Sequence, residues 1–286
     1  MEIHLIARIA ILSLTLTFAQ ILSPSDGFAH TIKVMTYNTW GVPVATWDTW
    51  RYREAMRAIE AIGPDVVVLN EVFTQKGKHQ FKSNQYPFQL DGPGPVPRLV
   101  GSGLRILSKF PIVNRAILTF RACKTTDCLS RKGAALVTLA LPNGKKLNLI
   151  GTHLDSSGPK ETRISQLKQI RLLNEWYSDR SAPTILAGDM NFKSHSAEYE
   201  FTREKFEVRD AWMETHPSSD PGHTYDCYSN HYARDYSIKT NEPLITERLD
   251  YLFHRGAIRT IKTELKFNDE ENLFSDHYAL MGEFEI

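Results

Sequence analysis

Five short apolar runs in this chain each meet a cluster of polar side chains able to move protons or hold metal. TIKVMTY runs into Asn38, DVVVL into Asn70-Glu71, KLNLIGT into His153 with Asp155 beyond, and PTILA into Gly188-Asp189-Met190-Asn191. The fifth is reversed, with Ser275-Asp276-His277 preceding Tyr278-Ala279-Leu280-Met281. Short apolar runs bounded by turn residues read as buried strands. Sheet enzymes carry their working groups where strands give way to loops. The pattern predicts packed sheets whose strand ends converge on one site.

The rest of the chain fills in that frame. Trp50–Ile62 has helical spacing and stops at Gly63-Pro64. Glu161–Tyr177 reads as an amphipathic helix with Ile164, Leu167, Ile170, Leu173 and Trp176 along one face. Strands are expected between Ser102 and Ala140, and again at Leu249–Phe253, Ala257–Leu265 and Tyr278–Ile286. Many strands with two or three helices indicate an α+β sandwich, with helices outside the sheets. No repeat or linker divides the chain, so residues 30–286 are expected to form one domain. Segments 91–101 and 220–243 read as loops, the second carrying four tyrosines and two histidines.

Residues 9–22 form an apolar stretch after Arg8, and Gly27 and Ala29 offer small residues for a signal-peptidase cut after Ala29. The stretch is short for a membrane span, which needs about 20 apolar residues. The expected location is secreted or periplasmic. Cys123 and Cys128, five apart in a polar segment, suit a small disulfide loop in an oxidising compartment, leaving Cys227 over. A net charge of +1 gives no global case for wrapping nucleic acid.

The polar clusters favour hard-metal and proton chemistry. Glu71 with Asn38 is an oxygen set suited to Mg²⁺, which keeps waters and takes few protein ligands. Glu71 could equally be a carboxylate opening a helix. Asp189 and Asn191 share a face if extended, although Gly-Asp-Met-Asn is also a good turn. Asp155 could project beside His153 if that strand continues, and could equally be a loop residue. Asp250, inside the apolar RLDYLF run, needs a partner to offset burial, and a histidine is the natural one.

In order and spacing, these residues resemble the endonuclease/exonuclease/phosphatase (DNase I-like) superfamily, nearest its neutral sphingomyelinase branch. The resemblance rests on MTYNTWGVP (35–43), LNEVF (69–73), GSGLRILSKFPI (101–112), GTHLDSS (151–157), AGDMNFKSHS (187–196), RLDYLF (248–253) and SDHYAL (275–280). It implies a four-layer sandwich of two mostly antiparallel sheets flanked by helices. It also implies a Mg²⁺-dependent phosphodiesterase, with Mn²⁺ or Co²⁺ as alternative ions. Glu71, Asn38 and Asp276 would serve the metal. His277, oriented by Asp250, would be the base, with Asp189 as the rival for that role; Asn191 and His153 would attend the phosphate, and Trp40 and Asp155 the substrate. The implied substrate is sphingomyelin at a phospholipid surface, met by a monomer, with Trp47, Trp50, Tyr225, Tyr228, Tyr232 and Tyr236 as candidate interfacial rings. The rival readings are a secreted DNase-like nuclease, with Arg131-Lys132 and Lys145-Lys146 on DNA phosphates, an inositol-phosphate or phosphoinositide phosphatase, and a catalytically dead adhesion or toxin-accessory module.

Overall fold

The computed structural model describes residues 30–42 and 50–286; the expected signal segment and Trp47 lie outside the described residues. The first half of the chain forms β1 (Thr31–Asn38), α1 (Trp50–Ile62), β2 (Val66–Asn70), α2 (Gln75–Gln80), β3 (Phe88–Asp91), β4 (Arg105–Ser108) and β5 (Ile112–Thr119). Next come β6 (Gly133–Ala140), β7 (Lys146–His153), α3 (Lys160–Tyr177), β8 (Thr184–Asp189) and α4 (Ala197–Phe206). The remainder supplies β9 (Arg209–Asp210), α5 (Ala211–Thr215), β10 (Tyr225–Asp226), α6 (His231–Thr240), β11 (Thr246–Glu247), β12 (Asp250–Arg255), β13 (Arg259–Lys266) and β14 (Ala279–Glu285).

Two six-stranded sheets result, in the orders β13-β14-β1-β2-β4-β3 and β5-β6-β7-β8-β12-β9. Most pairs are antiparallel, and the two parallel ones, β1 with β2 and β7 with β8, lie inside the sheets. Alternation along the strands sorts the core into layers. Ile32, Val34, Val66, Val68, Leu149, Ile185, Ala187 and Leu252 pack between the sheets. Met35, Tyr37, Val67 and Leu69 face the other way, against Tyr52, Met56 and Ile59 of α1. Leu136, Ile150 and Leu186 meet Leu167, Ile170 and Leu173 of α3. This is the helix–sheet–sheet–helix sandwich expected from the sequence.

The helices are more numerous than expected. Segment 220–243 is not one loop: the Asn230 side chain caps the start of α6 and Asn241, at φ 59°, ends it in the left-handed conformation. Asn is favoured at both positions for these reasons. In α3 the expected stripe is too wide. Leu167, Ile170 and Leu173 are buried but Trp176 is 71% exposed. Each step of three residues falls about 60° short of a turn, so a run spaced by threes rotates off the core. Among the described residues, no helix is long and apolar enough to cross a membrane.

Register brings the polar ends together. Asn38 pairs with Asn70 across β1 and β2, His153 with Asp189 across β7 and β8, and Asp250 with Asp189 across β12 and β8. A buried ion pair braces the entry to β12: Arg248 lies 2.9 Å from Asp210, and both are almost fully enclosed. Asp210 also accepts from Tyr199 Oη and caps α5 at the Trp212 amide. Removing one charge of such a pair strands the other in the interior. Arg248→Met should therefore cost about 3–5 kcal/mol of stability, measured by urea unfolding. The double variant Arg248→Met, Asp210→Leu should recover part of that loss; no recovery would show that packing rather than the stranded charge dominates.

Candidate active site

The converging strand ends line one cleft of about 880 Å³. Asn38, Glu71, His153, Asp189, Asn191, Asp276 and His277 all face it, as does Trp40. Trp40, Glu71 and Asn191 adopt left-handed backbone, at φ 49°, 62° and 49°. That conformation costs a non-glycine residue free energy and persists only where surroundings impose it. The constraint at Glu71 is visible: a Cβ on Gly41 would sit 1.8 Å from the Glu71 carbonyl oxygen. The glycine in the Asn-Thr-Trp-Gly run thus permits the approach that seats Glu71.

Asn38 ties two carboxylates together. Its Nδ2 donates to Asp189 Oδ2 at 2.9 Å and to Glu71 Oε1 at 3.2 Å, while its Oδ1 accepts from the Trp40 amide. So oriented, Asn38 clamps the two carboxylates together. Asp189 is further held by the Asn191 amide on Oδ1, and its own amide donates to Asn70 Oδ1. Asn70, which stands beside Glu71 in the second polar cluster, thus braces Asp189.

His277 Nδ1 lies 2.7 Å from Asp250 Oδ2, and Nε2 lies 3.9 Å from Asp189 Oδ2. The Nδ1 proton therefore belongs to the Asp250 bond, which leaves Nε2 facing the cleft. Burial opposes the charge on His277, but Asp250, then Asp189 and Asp276, overcome it and push its pKa up to about 10. Burial, and then the charge of Asp276, pushes Glu71 up to about 7. Burial likewise pushes Asp276 up to about 6, despite His277 beside it.

Lys132 is the residue whose role sequence reasoning missed. It read as half of a solvated or DNA-facing basic pair, yet it is buried. Its Nζ donates to His153 Nε2 at 3.0 Å and to the Leu154 carbonyl at 2.8 Å, and pairs with Asp127 at 2.8 Å. All three ammonium protons are used. Burial, and then the Lys132 charge, pushes His153 down to about 3, so that ring is neutral at pH 7. The fixed cation beside the acids is Lys132. A lysine opening the apolar run GAALVTLA was the available signal, masked by the polar RACKTTDCLSR before it.

Asp155 does not join the site. The strand stops at His153, and Asp155 turns its oxygens to the Lys124 and Gly158 amides at 2.8 and 2.5 Å. It is fully buried and builds the loop. Cys123 and Cys128 form a disulfide in the segment that brings Asp127 to Lys132. Among the aromatic candidates, Tyr225 packs edge-on against the His277 ring, and Tyr232 and Tyr236 pack against Trp40. Tyr228 and Trp50 are exposed.

Among the described residues, Asp189, Asp250 and His277 bring ligand atoms within 4.8 Å of one another, a group able to hold a metal ion. The chemistry of the donors favours a neighbouring place. Asp250 gives Oδ2 to the imidazole proton and does not line the cleft, although its Oδ1 has no donor; Glu71 lines the cleft, and its buried Oε2 has no protein donor. Two cleft-lining carboxylates, Glu71 and Asp276, the first with an unsatisfied oxygen, fit a hard divalent cation.

The sequence matches the Endonuclease/Exonuclease/phosphatase family over residues 35–277. It is 24% identical over 287 residues to an inositol phosphosphingolipids phospholipase C of Schizosaccharomyces pombe, covering 88% of this chain and 68% of that one. It is 28% identical over 257 residues to a sphingomyelinase C of Bacillus cereus, covering 78% and 74%. A Drosophila melanogaster relative is 25% identical over 89% of this chain, which spans only 61% of its length. Among solved structures, sphingomyelinase C from Streptomyces griseocarneus superposes with a TM-score of 0.70 at 25% identity, covering 89% of this chain and 99% of the other. A Staphylococcus aureus beta toxin variant with bound magnesium ions scores 0.68 at 22% identity, covering 88% and 99%. D. rerio TDP2 with a single-strand DNA product scores 0.71 at 20% identity, covering 89% and 98%. Family match, sandwich and site agree: this chain belongs to the Endonuclease/Exonuclease/phosphatase family and stands near its sphingomyelinase branch.

Proposed function

We propose that this chain is an exported, Mg²⁺-dependent phosphodiesterase of the phospholipase C type that cleaves sphingomyelin to ceramide and phosphocholine. The comparisons support a phosphodiesterase or phosphatase in the coarse sense. The observation that carries the reading is the convergence of Glu71, Asp189, Asp276 and His277 on one cleft, with Asp250 behind His277 and Lys132 behind His153. The sphingolipid-cleaving names of the sequence relatives favour a lipid diester over DNA. A cleft wall of Trp40 and Tyr236, backed by Tyr232, suits a cationic headgroup.

Glu71 and Asp276 would hold the ion, Glu71 through the oxygen that no protein donor reaches. A divalent ion bound there supplies charge neutralisation to the phosphoryl and leaving oxygens. Lys132 adds fixed positive charge beside them. His277 Nε2 and Asp189 Oδ2 are spaced so that one attacking water can touch both. Asp189, pinned by Asn38 and the Asn191 amide, orients that water. Asp250, Asp189 and Asp276 hold the imidazole protonated, so His277 Nε2 would take the water's proton once positive charge bound at Glu71 and Asp276 offsets those acids. Asp250 accepts from Nδ1–H throughout and stabilises the imidazolium that forms.

His277→Ala should lower turnover by about a hundredfold or more, as for loss of a general base. Asp250→Asn should be comparably damaging with the fold intact, because an amide donor would leave the proton on Nε2. Wild-type turnover in either variant would sink the assignment. A panel of sphingomyelin vesicles, phosphatidylcholine vesicles, plasmid DNA and phosphoinositides, each with and without EDTA, tests the substrate and the metal. Phosphocholine release that EDTA abolishes is the expected result; plasmid nicking without it selects the nuclease reading.

Protons and cation compete for Glu71 and Asp276, whose pKa values stand at about 7 and about 6. Each acid binds a cation only when deprotonated, so affinity is full above both values and is lost as pH falls through them. Mg²⁺ titrations followed calorimetrically should show at least about tenfold weaker binding at pH 5.5 than at pH 8. Equal affinity at the two pH values would remove these acids from the metal site.

A further inference from the structure

Two loops beside the cleft come together. Leu99 and Val100 amides donate to the Leu129 carbonyl at 3.1 and 3.3 Å, and the Arg131 amide returns a bond to Val100. Arg98 Nη1 donates to the Cys128 carbonyl at 2.7 Å. With the Cys123–Cys128 disulfide, these bonds weld loop 91–101 and the disulfide loop into one projection. Pro93, Pro95 and Pro97 restrict its backbone further.

The tip of this projection is apolar and in water. Val96 and Leu99 are each 77% exposed and Leu129 is 51% exposed. Beneath it lies a pocket of about 370 Å³ lined by Arg98, Arg121, Arg131 and Ser130. Among the described residues, no carboxylate pairs with any of these arginines. The one acid of the disulfide loop, Asp127, is turned inward to Lys132 and Ser156. The neighbouring Thr126 lines the catalytic cleft, so the projection is continuous with the cleft wall.

We propose that this projection is a docking surface for a bilayer containing anionic phospholipid. Val96, Leu99 and Leu129 enter the interface while Arg98, Arg121 and Arg131 engage lipid phosphates. Burying exposed aliphatic side chains is favourable, and a stiff projection loses little entropy on doing so. Basic residues add attraction to an anionic leaflet that falls off within a Debye length. Nucleic acid would satisfy the arginines but leave the three aliphatic side chains in water, which is why the bilayer is the better partner. The use of this surface, delivery of the cleft to a membrane lipid, rests on the lipid reading above; the surface itself does not.

The test is sedimentation of the whole protein with vesicles of phosphatidylcholine alone or with phosphatidylserine added, in EDTA so that nothing is hydrolysed. Binding should require phosphatidylserine and weaken with salt. Val96→Ser with Leu99→Ser should lower partitioning by at least about tenfold. Arg121→Ser and Arg131→Ser should each lower it about fivefold. All four changes should leave hydrolysis of a soluble nitrophenyl phosphodiester and thermal unfolding as in wild type. Undiminished vesicle binding by these variants overturns the proposal, as does salt-sensitive DNA binding without vesicle binding. If sphingomyelin proves not to be cleaved, the vesicle result still stands or falls by itself.

Discussion

Four carboxylates meet where the two sheets come together, and buried like charges must be neutralised, shared with protons or held apart. Most of the site is a response to that constraint. Asp250 bonds the His277 ring through Oδ2, its Oδ1 having no donor, and Asp189 is held by the Asn38 amide and the Asn191 backbone. Glu71 and Asp276 keep a deficit of positive charge, which is why burial raises both. Lys132 is balanced by Asp127 and lends its charge to the same neighbourhood. Arg51 is another part of the balance. Its buried guanidinium donates to the Phe274 carbonyl and lies over the Trp40 and Tyr232 rings, so it ties the aromatic wall to the loop that carries Asp276.

The sheets make this crowding possible. Parallel β1 and β2 both end at the site, as do parallel β7 and β8, while antiparallel β12 and β14 begin there. One edge of the sandwich thus collects residues from the whole chain. Strained backbone at Trp40, Glu71 and Asn191 turns those side chains inward at the strand ends, and the fold's rigidity sustains it. Chemistry of this kind gains from groups already aimed before substrate arrives.

Legibility in the sequence followed physical locality. Strands such as 66–70 and 146–153 were visible because apolar alternation and flanking turns are local properties. The α6 helix was hidden by tyrosines and histidines with middling helix propensity, although its Asn caps stood in plain view. The surroundings of Lys132 and Asp155 were not legible for one reason. Whether a charged side chain near a strand end faces solvent, a loop amide or a catalytic group depends on where its strand stops and what crosses behind it. Neither is encoded within a few residues.

The sequence by itself determined the residue types of the site, their attachment to strand ends and the family, since each rests on local pattern and order along the chain. The tertiary structure decided the partnerships. Asp276 and His277 are neighbours in sequence, yet the histidine takes its proton partner from Asp250, 27 residues away, and Asp276 lines the cleft. The register of β12 against β8 makes that choice, because it places Asp250 opposite Asp189 and beneath the His277 ring. A through-space hydrogen bond of 2.7 Å then outweighs proximity along the chain.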